Sequence, residues 1–583
     1  MAPIEKAGDV SLSPNARRVL ESRYLRKGPD GKVCETPEQL FRRVAANVAE
    51  VDRRYRPDAD VQAAAERFYR LMAGLIFLPN SPTLLNAGRE FQQLHACYVL
   101  PVEDSLESIF DAIKQTALIH QSGGGTGFSF SHLRPKGSRV KTTSGTASGP
   151  VSFLKVFDAA TQAVKQGSFR RGANMGILRV DHPDIVEFIE VKQDPSAVTN
   201  FNLSVAVTDA FMKAVGQDAE YELRDPSTGR VTQRLKARDL FTRICHGAWA
   251  CGDPGLVFLD RINAENPTPE LGPIESTNPC GEQPLLSYES CVLGSINVSG
   301  LVRENGGSVE VDWPRLKEVI HDAVHFLDNA VDATHYPMPQ IEAITKANRK
   351  IGLGIMGFAH LLIHLGIPYD SEEALGVART LMEQVRAEAR EASRQLAEQR
   401  GVFPNFGRSI FRDGPKRRHA ALTTIAPTGT LSIIANTTSG IEPLFALCYV
   451  REVLEGQRLV EVGPLFEQAA VSGGFWSPAL GKRLRAGGTV QRDPEVPPAL
   501  QRLFRTAHEI APAWHLKMQA EFQRFTENAI SKTINMPFTV TPADVEQIYR
   551  QAWELGCKGI TIYRDKSRPS QVLNIIETVQ DDS

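Results

Sequence analysis

The segment Asn278-Pro279-Cys280-Gly281-Glu282 places an amide, a thiol and a carboxylate within five residues. On an extended segment, positions 278, 280 and 282 would point to one side, but the proline and the glycine favour a loop over a regular strand. Such a trio could bind one small molecule, take an atom from it and deprotonate it. The pentapeptide alone is more typical of a buried thiol in a turn, and both interpretations stay open.

The eight cysteines are too sparse for a disulfide scaffold in a chain of 583 residues. None belongs to a C-x-x-C pair, which excludes a zinc ribbon and a thioredoxin motif. Most of them are therefore expected to be buried thiols in a reducing compartment. The remaining question is which cysteines take part in chemistry.

Two further segments could bind phosphate or could be ordinary turns. The segment 121–127 holds four glycines, which let a backbone approach a ligand closely and leave N–H groups open to an anion. The segment 426–432, APTGTLS, combines small hydroxyl residues with an expected helix start, where N–H groups and the helix dipole favour an anion. A flexible turn and an ordinary N-cap are the equal alternatives.

The segment Gly352–Gly357 fits the pattern G-x-G-x-x-G, with Asp370 downstream. A dinucleotide site needs a strand just before this pattern and a helix just after it. The preceding AITKANRK is polar and predicts a helix instead. Tight packing between a strand and a helix is therefore favoured over a dinucleotide site.

Composition excludes several classes of function. The formal net charge of −2 gives no global electrostatic reason to bind nucleic acid or an anionic membrane. No apolar run approaches the roughly 20 residues that span a bilayer, and the start MAPIEKAGDV has no secretory pattern. We expect a cytoplasmic enzyme without a membrane partner.

The chain changes character near residue 78. Thr36-Pro37-Glu38 predicts a helix start before LFRRVAANVAEV, and the stretch 63–77 predicts a second helix. Beyond Leu78–Pro82, short apolar runs alternate with helical stretches, which indicates an α/β fold.

Taken together, these segments resemble class II ribonucleotide reductases, the adenosylcobalamin-dependent class. NPCGEQPLLSYESCVLGSINV is similar to the active-site finger loop of that family. Other similar segments, in the order of the family, are LPNSPTLLNAG, QLHACYVLPVEDSLESIFDAI, HQSGGGTGFSFSHLRPKGS, SFRRGANMGIL, GDPGLVFLDRIN, RKIGLGIMGFAHLL, APTGTLSIIANTTSGIEP and GCKGITIYRDKSR. The resemblance runs from about residue 12 to about residue 570.

The resemblance implies an α/β barrel of ten strands, built from two parallel halves set antiparallel, with a central finger loop. We expect a helical N-terminal region over 1–78, the barrel over 79–570 and a C-terminal tail without cysteines over 571–583. The implied activity is the reduction of ribonucleotides to 2′-deoxyribonucleotides for DNA synthesis and repair. Diphosphates are the expected substrates, although the sequence leaves triphosphates open.

The resemblance also implies roles for five catalytic residues. A thiyl radical at Cys280 would remove the ribose 3′-hydrogen, and Glu282 would take the proton of the 3′-hydroxyl. Asn278 would hydrogen-bond the ribose. Cys97 and Cys291 would deliver two electrons and become a disulfide, with loss of the 2′-hydroxyl as water.

Nucleotide-binding positions carry over by motif. The expected substrate contacts are Ser81, Ala96, Cys97, Gly125, Asn278, Pro279, Cys280, Gly281, Glu282, Pro427, Thr428, Gly429, Thr430 and Leu431. The expected contacts of a regulatory deoxynucleotide effector are Asp104, Ser105, Leu106, Arg134 and Lys141. The segment from Ser168 to Asn174, with Arg170 and Arg171 as contacts, is expected to relay the identity of the effector to the base pocket. We expect this allosteric choice among substrates to act across a homodimer.

The radical source is inferred by elimination and resemblance. Thr561 and Ile562 stand where class I enzymes carry two adjacent tyrosines, and the C-terminal segment offers no glycyl-radical loop. Adenosylcobalamin remains, in a family that binds it without a histidine ligand, and no protein ligands to a metal are predicted. The sequence does not identify the contacts of the cofactor.

No cysteine follows Cys557. We therefore expect steady turnover with a small dithiol but poor turnover with thioredoxin alone, unless a separate chain supplies a cysteine-bearing tail. No ATP-cone precedes the barrel, so overall control by ATP and dATP is not expected. Three alternatives stay open: a class I large subunit without its tyrosines, a catalytically inactive nucleotide-binding regulator, and a dinucleotide-dependent dehydrogenase.

Overall fold

The computed structural model describes residues 10–139, 145–164, 172–452, 458–485 and 489–567. Within these ranges the α-helices are α1 Pro14–Arg23, α2 Pro37–Ala49, α3 Asp52–Tyr55, α4 Val61–Ala73, α5 Ser81–Asn86, α6 Leu106–Gln121, α7 Pro150–Ala163, α8 Ile185–Glu190, α9 Asp209–Gln217, α10 Ala237–Cys251, α11 Leu259–Ala264, α12 Trp313–Ala333, α13 Pro339–Asn348, α14 Phe358–His364, α15 Glu372–Arg400, α16 Gly429–Ile434, α17 Pro464–Ser472, α18 Pro478–Arg485, α19 Pro498–Leu503, α20 Pro512–Gln523 and α21 Pro542–Glu554. Short 3-10 helices cover Val191–Gln193, Pro269–Leu271, Val298–Gly300 and Pro404–Arg408. No helix in the described ranges is long and apolar enough to cross a membrane.

The strands follow the helical start of the chain. Their bounds are β1 Phe77–Pro79, β2 Cys97–Val99, β3 Gly125–Ser129, β4 Asn174–Arg179, β5 Phe201–Val207, β6 Glu220–Arg224, β7 Val231–Lys236, β8 Gly255–Phe258, β9 Ser276–Thr277, β10 Pro284–Leu285, β11 Ser290–Asn297, β12 Val302–Asn305, β13 Ser308–Val311, β14 Ile351–Met356, β15 Cys448–Glu452, β16 Arg458–Val462, β17 Thr533–Met536 and β18 Gly559–Arg564.

The N-terminal region is helical, as predicted. Thr36 begins α2 through a capping box with Gln39, and the apolar face of α2 packs on α4. The predicted helix over 63–77 is correct only as far as Ala73. Leu75 has a left-handed backbone with φ of 55°, which ends the helical path, and the chain then enters the sheet as β1.

The barrel consists of two parallel halves, as the resemblance implies. Strands β2, β3, β4, β5 and β8 pair in parallel and form the first half. The second half has the parallel pairs β11–β14 and β17–β18, and single bridges continue it from Leu353 to Thr423 and from Ile425 to Ile530. The halves meet antiparallel at β2–β11 and at β8–β18, which closes the barrel.

A hairpin of two short strands, β9 and β10, passes through the middle of this barrel. A Cβ atom on Gly127 of β3 would lie 1.7 Å from the carbonyl oxygen of Thr277. On β14 of the second half, a Cβ atom on Gly352 would lie 2.3 Å from Cδ2 of Leu293 and 2.7 Å from Nε2 of Gln283. The inner face of β3 therefore needs glycine where the hairpin passes, and at Gly352 the side chains of Leu293 and Gln283 take the space of a Cβ atom.

A buried network of ion pairs joins the helical region to the barrel. Arg400 at the end of α15 bonds Asp328 of α12 at 2.7 Å and Asp52 of α3 at 2.6 Å. Burial alone would raise the pKa of Asp328, but Arg349 and neighbouring cations lower that pKa well below its usual value. Removing one partner would leave a buried charge uncompensated, so this network fixes the helical region against the barrel.

We predict that Gly127→Ala destabilises the chain by about 3 kcal/mol, since the new methyl group meets a backbone carbonyl that cannot rotate away. Urea denaturation measures the free energy of unfolding. Gly216→Ala in α9 is the matched control, because its Cβ would meet nothing within 4 Å and should stabilise the helix by about 0.5–1 kcal/mol. Equal stability of the two variants would contradict the position of the hairpin.

Candidate active site

The tip of the hairpin is the predicted loop. Oδ1 of Asn278 accepts a hydrogen bond from the backbone N–H of Gln283 at 3.0 Å, and the N–H of Asn278 donates to the Gln283 carbonyl at 3.2 Å. Gly281, with φ of 83°, donates its N–H to the Asn278 carbonyl at 3.1 Å. The tip is therefore a closed turn whose geometry requires a glycine at position 281.

Both halves of the barrel fix this tip in place. Nδ2 of Asn202, on β5 of the first half, donates to the Pro279 carbonyl at 2.8 Å. The Glu282 carbonyl accepts from Oγ1 of Thr424 at 3.1 Å and from the N–H of Ala529 at 2.9 Å, both beside the second half. These hydrogen bonds are made to backbone carbonyls of the loop. They therefore do not depend on which side chain stands at position 280.

Cys97 and Cys291 lie directly opposite each other on the antiparallel strands β2 and β11. Opposite residues in such a pair have Cβ atoms about 4.5–5.5 Å apart and point to the same face, a spacing close to what a disulfide requires. The two side chains are buried, with 2% and 0% of their surface exposed, whereas Cys280 at the tip is exposed. The structure therefore brings together two thiols that are far apart in sequence.

The polar side chains of the tip, Asn278 and Glu282, lie close to the thiol of Cys97. Nδ2 of Asn278 donates to Sγ of Cys97 at 3.2 Å, and Oε1 of Glu282 lies 4.0 Å from the same sulfur. Asn278 and Glu282 are each only 2% exposed. An amide and a carboxylate thus meet the Cys97 thiol beside the facing Cys291, and Cys280 is exposed at the tip between Asn278 and Glu282.

Burial and charge set the protonation of the second thiol. Desolvation raises the pKa of Cys291 well above its usual value, and nearby Glu289 raises it further. Glu289 is itself neutralised by Lys350 at 2.7 Å, and both side chains are almost fully buried. Cys291 therefore stays a thiol at neutral pH and can give up its hydrogen as well as its electrons.

The glycine-rich segment 121–127 packs closely against the loop at the tip of the hairpin. It forms the end of α6 and the start of β3, and a Cβ atom on Gly125 would lie 2.8 Å from Cγ of Pro279. The close approach that its glycines allow is thus made by the chain's own hairpin. The glycine pattern Gly352–Gly357 lies largely within strand β14, and helix α13 precedes it. A dinucleotide site would need a strand before the pattern, so these glycines serve packing against neighbouring segments instead.

The predicted substrate positions Ser81 and Thr430 both contact the end of helix α1. Consecutive residues at the end of α1 contact both: the Tyr24 hydroxyl is 2.7 Å from Oγ of Ser81, and a guanidinium nitrogen of Arg23 is 3.5 Å from Oγ1 of Thr430. Ala96 precedes Cys97 at the start of β2, so it lies beside the thiol pair. The end of α1 therefore connects the starts of α5 and α16.

The segment Pro427–Leu431 begins helix α16, as predicted. Thr428 occupies the N-cap position, but its hydroxyl accepts a hydrogen bond from the N–H of Gly440 at 2.8 Å, and no side chain caps the helix. The ordinary N-cap therefore does not explain this motif in the described structure. The N–H groups of the first turn have no intrahelical partners, as at any helix start.

The described structure brings two of the predicted effector positions into contact. Asp104 pairs with Arg134 at 2.7 Å, and Ser105 caps α6 by accepting from the N–H of Ser108 at 3.1 Å. Leu106 follows with 65% of its surface exposed. Lys141, and Ser168 through Arg171 with Arg170, lie outside the described residues, while Gly172–Asn174 leads into β4.

Sequence reasoning missed His132, which lies between the predicted effector site and the root of the hairpin. Nδ1 of His132 is 3.0 Å from Glu103, and Nε2 is 3.0 Å from Glu275, the residue before β9. The hydrogen bond to Glu275 is the largest cause that raises the pKa of His132 to about 9, with Glu103 adding to it against burial. The position of His132 two residues before Arg134 was the available signal.

Two family models match nearly the whole chain. "Ribonucleotide reductase, all-alpha domain" matches residues 10–92, and "Ribonucleotide reductase, barrel domain" matches residues 95–417 and 416–563. These ranges cover the helical region and the barrel that carries the loop.

Curated relatives are similar over the same length. The chain is 47% identical to a vitamin B12-dependent ribonucleoside-diphosphate reductase of Thermoplasma acidophilum, over 97% of this chain and 80% of that protein. It is 50% identical to a protein of the same name from Mycobacterium tuberculosis, over 97% of this chain and 81% of that protein.

A solved structure has the same fold. The alpha subunit of the class Id ribonucleotide reductase of Actinobacillus ureae aligns with a TM-score of 0.77 at 22% identity. The alignment covers 95% of this chain and 97% of that one.

We predict that the stabilising contribution of His132 depends on pH. Because the folded pKa of about 9 lies above the usual 6.5, the contribution is fully present below pH 6.5 and is lost as the pH rises through 9. His132→Gln should therefore lower the melting temperature at pH 6.5 but not at pH 10. The exposed His246→Gln is the control and should have little effect at either pH, whereas a deficit of His132→Gln that persists at pH 10 would contradict the ion pairs.

Proposed function

The chain belongs to the ribonucleotide reductase family, and we propose on this premise that it reduces ribonucleoside diphosphates to 2′-deoxyribonucleotides with adenosylcobalamin as its radical source. One observation carries the assignment of residues. Cys97 and Cys291 face each other across β2 and β11, beside a loop tip that holds Cys280, Asn278 and Glu282.

The open side of the tip fits a bulky cofactor that approaches from solvent. Cys280 is exposed, and a Cβ atom on the adjacent Gly281 would meet nothing within 4 Å. We place the cofactor against these two residues. Adenosylcobalamin, when bound, supplies a carbon-centred radical through cleavage of its cobalt–carbon bond.

The first half of the proposed reaction takes place at the loop. The Cys280 thiol loses its hydrogen atom, and the resulting thiyl radical takes the 3′-hydrogen of the ribose. Glu282 accepts the proton of the 3′-hydroxyl, for which its buried position beside the substrate space is suited, and Asn278 hydrogen-bonds the sugar. The 2′-hydroxyl then leaves as water with the proton that Glu282 accepted.

The second half of the proposed reaction uses the facing thiols of Cys97 and Cys291. Cys97 and Cys291 together give two electrons and two hydrogens to the substrate and become a disulfide, and Cys280 returns its hydrogen atom to C3′. One ribonucleotide and two thiols thus give one deoxynucleotide, one disulfide and one water. The protonated state of Cys291 suits this role, since a thiol brings its own hydrogen.

We propose that the remaining predicted positions bind nucleotides. The start of α16 and Ser81 would hold the substrate phosphates, because helix N-termini favour anions. Asp104, Ser105, Leu106 and Arg134 would hold a deoxynucleotide effector, with His132 linking this site to the root of the hairpin.

A homodimer is also proposed, through α6 and α7. Leu106 and Phe110 are one turn apart on α6, with 65% and 54% of their surface exposed, and Val156 of the adjacent α7 is 39% exposed. Exposed apolar side chains grouped in this way are typical of a surface that another chain covers. A second copy would place the effector site next to the interface.

A thioredoxin-type dithiol is proposed to restore the oxidised pair in a reducing cytoplasm. The burial of Cys97 and Cys291 excludes direct contact with a bulky protein, so a cysteine-bearing segment would carry the exchange inward.

We predict that Cys280→Ser abolishes the reduction of CDP, by about 10⁴-fold or more, while CDP binds within about twofold of its normal affinity. Serine is nearly the same size, but its stronger O–H bond prevents the radical exchange. Purified chain with CDP, dithiothreitol and adenosylcobalamin provides the assay, and calorimetry measures binding.

Cys34→Ser is the matched control, since Cys34 is an exposed thiol of the helical region and should be dispensable. Turnover by Cys280→Ser at the rate of Cys34→Ser would remove Cys280 from the proposed role.

A further inference from the structure

A cavity of about 230 Å³ lies at the root of the hairpin, where β14 and β18 begin. Pro284 of β10 lines it, whereas Cys280 is at the far end of the same hairpin. Five cationic side chains but only two carboxylates line the cavity. The cations are Lys350, Lys558, Arg386, Arg390 and Arg524, and the carboxylates are Glu265 and Glu527.

Two of these cations are buried ammonium groups. Lys350 is neutralised by Glu289, as described above. Lys558, 4% exposed, donates to the backbone carbonyls of Glu527 at 2.7 Å and Asn528 at 2.9 Å. Its carboxylate partner is Glu265 at 2.6 Å, and the Glu265 side chain is 62% exposed. A buried charge is therefore held by a carboxylate that can move into solvent.

Three arginines form the rim, and one of them is not neutralised. Arg390 pairs with Glu527 at 2.7 Å and Arg524 with Glu521 at 3.4 Å. Arg386 donates to the Arg524 carbonyl at 3.3 Å and has no carboxylate within 4.0 Å among the residues that the structure describes. Burial and then the like charge of Arg390, one helical turn away, lower the pKa of Arg386, and the more distant Glu527, Glu383 and Glu265 only partly offset this. The rim thus carries excess positive charge.

We propose that this cavity binds a multivalent phosphate-type oxyanion, with Arg386 and Arg524 at the rim and Lys558 at the floor as its ligands. Guanidinium groups match phosphate oxygens in geometry, and a buried ammonium strengthens its bond to an anion when water is excluded. Glu265 would swing outward as the oxyanion replaces its carboxylate. The site shares no residue with the proposed reaction, so either can fail without the other.

The test is calorimetric titration of the full chain with inorganic pyrophosphate in one arm and ADP in the other. We expect Arg386→Gln/Arg524→Gln to weaken one binding event by about tenfold or more, because two charge-assisted contacts are lost. Glu265→Gln should strengthen the same event by about two- to fivefold, because the competing carboxylate is gone. Weaker binding after loss of the two arginines and stronger binding after loss of the Glu265 charge cannot both arise from general damage to the fold.

Arg394→Gln is the matched control, since Arg394 lies on α15 one turn after Arg390, pairs with Glu391 at 2.8 Å and does not line the cavity. It should bind like the unaltered chain. A change confined to the pyrophosphate arm identifies a free oxyanion, and a change confined to the ADP arm identifies the phosphates of a nucleotide. If the double variant binds both ligands as the unaltered chain does, the proposal is wrong.

Discussion

The close passage of the hairpin against the barrel wall is the constraint on which the rest of the site depends. The carbonyl of Thr277 occupies the space that a side chain at Gly127 would need, and the side chains of Leu293 and Gln283 occupy that of Gly352. Glycines on strands of both halves therefore allow a polypeptide loop to take the place of the side chains that normally fill a small barrel. Without this space, the tip could not bring its carboxylate and amide to Cys97.

The same constraint explains how the chemistry is protected. With the loop inside, the wall thiols Cys97 and Cys291 are buried, and of the three cysteines of the proposed site Cys280 alone is exposed. Burial keeps Cys291 protonated and excludes water from the space where a radical would react. The same burial would make an oxidised pair hard to reach, which supports the proposal that a cysteine-bearing segment delivers the reductant.

Some of this arrangement follows from the sequence, and some depends on contacts that spacing does not encode. Alternating apolar runs indicated an α/β fold, and Pro279 with Gly281 indicated a loop, since neither continues a strand. The pairing of Cys97 with Cys291 depends on the register of two distant strands, and only the resemblance predicted it. His132 was missed because its role requires two separate carboxylates to meet it in space. The early end of α4 was missed because an apolar run fits a helix and a strand equally.

The most direct test of the site is a single turnover without external reductant. Fully reduced chain is mixed with CDP and adenosylcobalamin, and the product is counted while cysteine peptides are mapped. We expect at most one deoxynucleotide per chain, matched by a disulfide between Cys97 and Cys291. Product formed while both cysteines still react with an alkylating agent, or with a disulfide between other cysteines, would contradict it.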